Sequence, residues 1–198
     1  MRTMPMNVIS IMLSRVRSRA TEMAADCRGI AATEFAVIVP IMLVMFFGTV
    51  EFSSGVAVDR KVTLMARTLS DLTSQSTSVA DTDMTNFFAA SGAIMTPYSS
   101  TPTKATISEL YVDPSTLKAR VQWSKGTSPR AVSSTVTIPS QLAVAGTYLI
   151  FSEVSYLYVP TVGYVMAKAG INLSDVAYTR PRQSTCVFYS PATACTTL

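Results

Sequence analysis

Arg28-Gly29-Ile30-Ala31-Ala32-Thr33-Glu34-Phe35 leads directly into an uncharged run from Ala36 to Val50. The 21 residues from Ile30 to Val50 contain a single charge, Glu34. At about 1.5 Å per residue, a helix of that length covers roughly 30 Å, the thickness of a bilayer's hydrocarbon core. A carboxylate near the start of such a span is costly if it stands alone, so Glu34 is the first candidate functional residue. Pro40 lies inside the run and predicts a kink or loosening near residues 36 to 40.

Upstream of the span the chain is basic. Arg2, Arg15, Arg17, Arg19 and Arg28 against Glu22 and Asp26 put +3 of the net +4 charge into the first 29 residues. The basic balance is therefore a property of the leader, and it comes with no RNP, zinc-finger or helix-turn-helix signature; no nucleic-acid partner is expected. The apolar patch Val8 to Leu13 is too short to cross a membrane, and the segment reads as a targeting leader. After the span, Glu51, Asp59, Arg60 and Lys61 nearly cancel. The positive-inside rule then places the N-terminus in the cytoplasm and the bulk of the chain outside, with lipid around the span.

Downstream, Val58, Val62, Met65, Leu69 and Leu72 recur at spacings of four and three, an amphipathic stripe that continues the helix into the mid-70s. Residues 73–78, rich in Ser and Thr, read as a loop. Asp81-Thr82-Asp83 reads as the N-cap of a short helix holding Met84, Phe87, Phe88, Ile94 and Met95. Ala105 to Val112 and Leu117 to Ser124 read as a hairpin turning at residues 113–116, with Trp123 packed in it. Thr135 to Ile138 is a further strand, and Thr147 to Val159 is a central strand covered on one side by the long helix. The tail from Thr161 is less regular, with a short element at residues 173–178. Tyr156 and Tyr158 share a strand face and read as core, while Arg180 and Arg182 read as solvated or internally paired. The expected class is α+β: a long N-terminal transmembrane and amphipathic helix packed on a small antiparallel sheet.

The chain has no histidine, which excludes Ser-His-Asp and Cys-His nucleophiles and histidine metal sites. Its acids are scattered. No catalytic residue, cofactor or metal is expected. Cys186 and Cys195 lie near the C-terminus, and in a chain sent across a membrane they read as a disulfide, the alternative being two unrelated thiols; Cys27 lies in the leader.

Glycine at a membrane boundary, an acid five residues later and then a phenylalanine resemble a type IV prepilin site. Arg28-Gly29-Ile30-Ala31, Glu34-Phe35-Ala36, the proline-broken run and Gly48-Thr49-Val50-Glu51-Phe52 resemble the TadE-like family of the Tad/Flp pilus system. Residues 153–160 and 180–182 resemble that family's C-terminal part more loosely, and residues 80–145 resemble nothing familiar. The resemblance implies a leader at 1–29 removed by prepilin peptidase between Gly29 and Ile30, with Arg28 holding the site at the cytoplasmic face. It also implies a span at 30–52, an amphipathic extension at 53–78 and an extracytoplasmic domain at 79–198. Glu34 and Phe35 become the fifth and sixth mature residues, and Glu34 pairs with an α-amine to set register between subunits. Major Flp pilins are very short and carry Glu-Tyr here, which favours a minor pilin or pseudopilin in pilus assembly for surface attachment. The implied partners are prepilin peptidase, other Tad/Flp pilins and pseudopilins, and the assembly platform in the bacterial inner membrane. The rival reading is a membrane-anchored periplasmic binding module that never enters a filament.

Overall fold

A computed structural model describes residues 6–25, 28–160, 170–195 and 197. Arg2, Asp26, Cys27 and the first part of the irregular tail lie outside them. The chain divides into two compact units, Met1–Thr49 and Val50–Leu198.

The first unit contains α1, Met6–Ala25, and the start of α2, which runs from Arg28 to Ser74. The leader is thus helical over most of its length. From Ile11 to Met23 it is exposed throughout, so its helix rests on local hydrogen bonds and not on burial. Pro40 lies inside α2 without interrupting the helical assignment, and the expected loosening at 36–40 does not break the element.

In the second unit, Val58, Val62, Met65, Ala66 and Leu69 of α2 are buried. The stripe read from the sequence holds as far as Leu69. Beyond it Leu72 is only half-buried, while Ser70, Thr73 and Ser74 take the inner positions. The expected loop therefore starts later, after Ser74. Four short elements follow the helix or close the chain: β1, Ser78–Val79; α3, Asp81–Gly92; a 3-10 turn at Ala93–Met95; and β7, Phe188–Tyr189, parallel to β1. The cap of α3 is Ala80 and not Asp81. Asp83 accepts a 2.9 Å hydrogen bond from the Ala80 N–H, which satisfies one of the donors orphaned at a helix start.

The five-stranded sheet has the order β4-β3-β2-β5-β6, every pair antiparallel. Its strands are β2, Thr103–Val112; β3, Ala119–Gly126; β4, Thr135–Val136; β5, Tyr148–Tyr158; and β6, Ile171–Thr179. Leu117 is not a strand residue: it has φ 54° in the β2–β3 turn, where Asp113 accepts N–H bonds from Ser115 and Thr116. Gly126 ends β3 at φ +135°, and a Cβ there would fall 2.2 Å from the Ala105 carbonyl oxygen, so only glycine fits.

β5 is an interior strand with two apolar faces, as its composition predicts, although β2 holds the middle place. Ile150, Val154, Tyr156 and Tyr158 join the core beneath α2 and α3, while Leu149 and Phe151 join a second cluster with Leu110, Val112 and Val121. Ile138 and Leu142 pack against that second cluster. Hydroxyls stitch α2 to the sheet: Ser152 donates to the Ala66 carbonyl at 2.6 Å, and Ser70 lies 2.8 Å from the Thr179 hydroxyl. Lys61 donates to the carbonyls of Ile94 and Thr96 at 2.8 and 2.7 Å, so its charge secures the 3-10 turn that follows α3.

Candidate functional site

Gly29 and Ile30 occupy the first turn of α2, and a Cβ on Gly29 would meet nothing within 4 Å. The peptide between them is thus helical, and any protease that takes it extended must first unwind that turn. Such unwinding is cheap at a helix start, where the first N–H groups have no intrahelical partner, and glycine favours helix by about 1 kcal/mol less than alanine. Thr33 donates its hydroxyl to the Ile30 carbonyl at 2.8 Å, which gives the hydroxyl a partner without water.

Glu34 and Phe35 follow on the same helix and are exposed, Phe35 at 68%. Among the described residues no hydrogen bond or ion pair reaches the Glu34 carboxylate. From Ile38 to Phe46 the large apolar side chains Ile38, Ile41, Met42, Leu43, Val44, Met45 and Phe46 are also exposed, on all sides of the helix. A helix apolar all round needs lipid or protein around it. This helix is long and apolar enough to cross a membrane, consistent with a single-pass anchor.

Residues 29–69 match the family described as TadE-like protein. The match opens at Gly29 and ends at Leu69, so it joins the exposed apolar stretch to the buried stripe. It does not reach the looser C-terminal resemblance at 153–160 and 180–182. Comparison with curated proteins and with solved structures gave no significant match. The TadE-like match supports a protein associated with the Tad pilus, and the family is one of pilus components rather than of enzymes.

Away from this TadE-like segment, Cys186 and Cys195 are joined in a disulfide. The segment it closes is clamped to the sheet through Val187. The Val187 N–H donates to the Glu109 carboxylate at 2.6 Å, and the Trp123 indole N–H donates to the Val187 carbonyl at 2.7 Å. Trp123 therefore does more than fill the hairpin. Glu109 is 2% exposed, and burial pushes its carboxyl up to about 7 although the Val187 N–H opposes the shift. Arg182 pairs with Asp71 of α2, and its N–H donates to the Ser74 carbonyl at 2.9 Å. Arg180 is exposed. Nothing local marks Glu109 as a clamp, because an acid in an alternating strand normally reads as a solvated position.

Proposed function

We propose that this protein is a TadE-like minor pilin or pseudopilin, cut by prepilin peptidase between Gly29 and Ile30 and acting in the assembly of Tad/Flp pili for surface attachment. The observation that carries the reading is Glu34. It is a carboxylate in the apolar, exposed first half of α2, unpaired among the described residues, at fixed spacing from Gly29 inside the TadE-like match.

Cleavage removes Arg28 and the rest of the leader and creates an α-amine on Ile30, whose unperturbed pKa of about 7.7 to 8 leaves it mostly charged at neutral pH. That amine lies about 6 Å from Glu34 along the helix axis. In apolar surroundings two opposite charges are far less costly together than apart. Glu34 of one subunit paired with Ile30 of a neighbour fixes how far one helix slides along the other, and Phe35 packs beside that contact. In this reading residues 1–29 are the leader, 30–52 cross the inner membrane, 53–78 extend the helix and 79–198 form the periplasmic domain. The partners are prepilin peptidase, other Tad/Flp pilins and pseudopilins, and the inner-membrane assembly platform. The protein's work is lateral helix packing, without chemistry of its own.

Glu34→Ala tests the pairing. Cleavage is expected to persist in cells carrying the peptidase, while pili and crosslinks between neighbouring helices are lost. Normal pili with alanine at 34 would remove the role assigned to that carboxylate.

A further inference from the structure

The five-stranded sheet ends differently at its two edges. β4, at one edge, is two residues long, whereas β6, at the other, runs for nine. β6 contains no proline, glycine or lysine, and its one charge is Asp175, at its centre. Long open edges of this kind pair with strands of other chains unless they are shortened, bulged or charged. Clefts lie on both sides of the edge. One of about 610 Å³ separates Arg67, Thr68 and Asp71 of α2 from residues 176–179, and one of about 450 Å³ lies beside Ser174 and Val176. Among the described residues no strand pairs with the outer side of β6.

The ladder dictates which backbone groups of β6 face outward. The Leu157 N–H turns to the Pro102 carbonyl, on the β2 side of β5. Backbone directions alternate along a strand, so Val154 and Tyr156 turn the other way, to their partners Asp175 and Leu173 in β6. The N–H groups of Asn172, Ser174, Val176 and Tyr178 therefore point away from the sheet. One of these donors is occupied: the Val176 N–H donates to Oδ1 of Asp175 at 2.8 Å. Oδ2 of the same carboxylate accepts the Thr63 hydroxyl at 2.5 Å, so α2 holds this cap in place.

A second copy of the chain offers one edge of matching length among the described residues, its own β6, since β1, β4 and β7 have two residues each. Two such strands laid antiparallel over their full length are related by a two-fold axis at residue 175. That register needs the Val176 N–H to reach the Ser174 carbonyl of the second copy. It also sets the two Asp175 side chains directly opposite each other, with Cβ atoms about 4.5 to 5.5 Å apart, where like charges destabilise the pair. The single carboxylate opposes the register twice, by taking the donor and by its charge. We infer that Asp175, held by Thr63, closes the β6 edge against strand pairing with β6 of a second copy of this chain. The device is independent of what surrounds the apolar helix.

The test compares the full chain with Asp175→Ala in detergent, each co-expressed as tagged and untagged copies. Asp175→Ala is expected to retain several-fold more untagged chain on the tagged one than the unsubstituted protein does. The amides of Asn172, Ser174 and Tyr178 are expected to gain protection from hydrogen exchange at the same time. Adding Val176→Pro to Asp175→Ala is expected to return retention to its starting level, because proline removes an outward N–H and is tolerated on an edge strand. Retention unchanged by Asp175→Ala overturns the closed edge. So does added retention that comes without protection at those amides, or that persists in the double variant. A further measurement needs no substitution: in the unsubstituted chain the Val176 amide is expected to exchange several-fold more slowly than those of Asn172, Ser174 and Tyr178. Equal exchange at all four overturns the cap, whatever Asp175→Ala does.

Discussion

Ile30, Val37, Ile41, Val44 and Phe46 of α2 are exposed, whereas Val58, Val62, Ala66 and Leu69 of the same helix are at 0%. The earlier stretch is apolar on all sides, the later one carries Asp59, Arg60, Lys61 and Arg67 around its apolar stripe, and their polar groups have different fates. In the later stretch Ser70 meets Thr179, Ser152 reaches the Ala66 carbonyl, and Thr63 donates to Asp175 at 2.5 Å. In the earlier one the sole charge, Glu34, finds nothing among the described residues. A helix half whose inward hydroxyls are bonded within the chain is structural. One that leaves a carboxylate unsatisfied in apolar surroundings points to a partner outside the chain.

Large-to-small substitution breaks the comparison most directly. Leu69→Ala is expected to destabilise the second unit by about 2 to 5 kcal/mol, because it opens a cavity in a packed site. Leu43→Ala is expected to change that stability by about 0.5 kcal/mol or less, since Leu43 is 49% exposed and lies outside the second unit. Urea unfolding of the full chain in detergent, followed by the fluorescence of the single tryptophan, Trp123, measures both. Equal losses at the two positions would show that the halves do not differ as described.

Glu109 sharpens the contrast with Glu34, because it is a buried carboxyl that does have partners. Its folded-state pKa of about 7 lies above its unfolded value of about 4.3. Between those values the unfolded chain releases a proton that the folded chain keeps. Stability therefore falls as pH rises from 5 to 7 and levels off above, by about 3 kcal/mol in all. Glu109→Gln removes the slope while keeping an acceptor for Val187. An unchanged slope in that variant would place the titration elsewhere. Smaller still is Arg182→Ala. The Asp71–Arg182 pair is largely exposed, with side chains 40% and 57% accessible, so its loss is expected to cost about 0.2 to 1 kcal/mol in the same unfolding assay.

The long helix, the β2–β3 hairpin and β5 were legible because each announces itself locally, by a stripe at helical period or by a dense apolar run. The C-terminal half of the architecture was less so. β6 alternates Asn172, Ser174 and Val176 on its exposed side with half-buried Leu173, Asp175 and Ala177, so an edge strand with one wet face gives only a faint signal. The clamp at Glu109 was illegible for a different reason: Val187 lies 78 residues away in sequence, and only the fold brings its N–H within 2.6 Å. Glu34 was legible for the opposite reason. An acid in an apolar span stands out without any structure, and the structure adds that its carboxylate is exposed and unpaired among the described residues.

The most direct measurement is the mass and N-terminal residue of protein taken from membranes of cells that carry prepilin peptidase. The account predicts a mature chain beginning at Ile30, with residues 1–29 gone. Full-length protein persisting alongside active peptidase would contradict it.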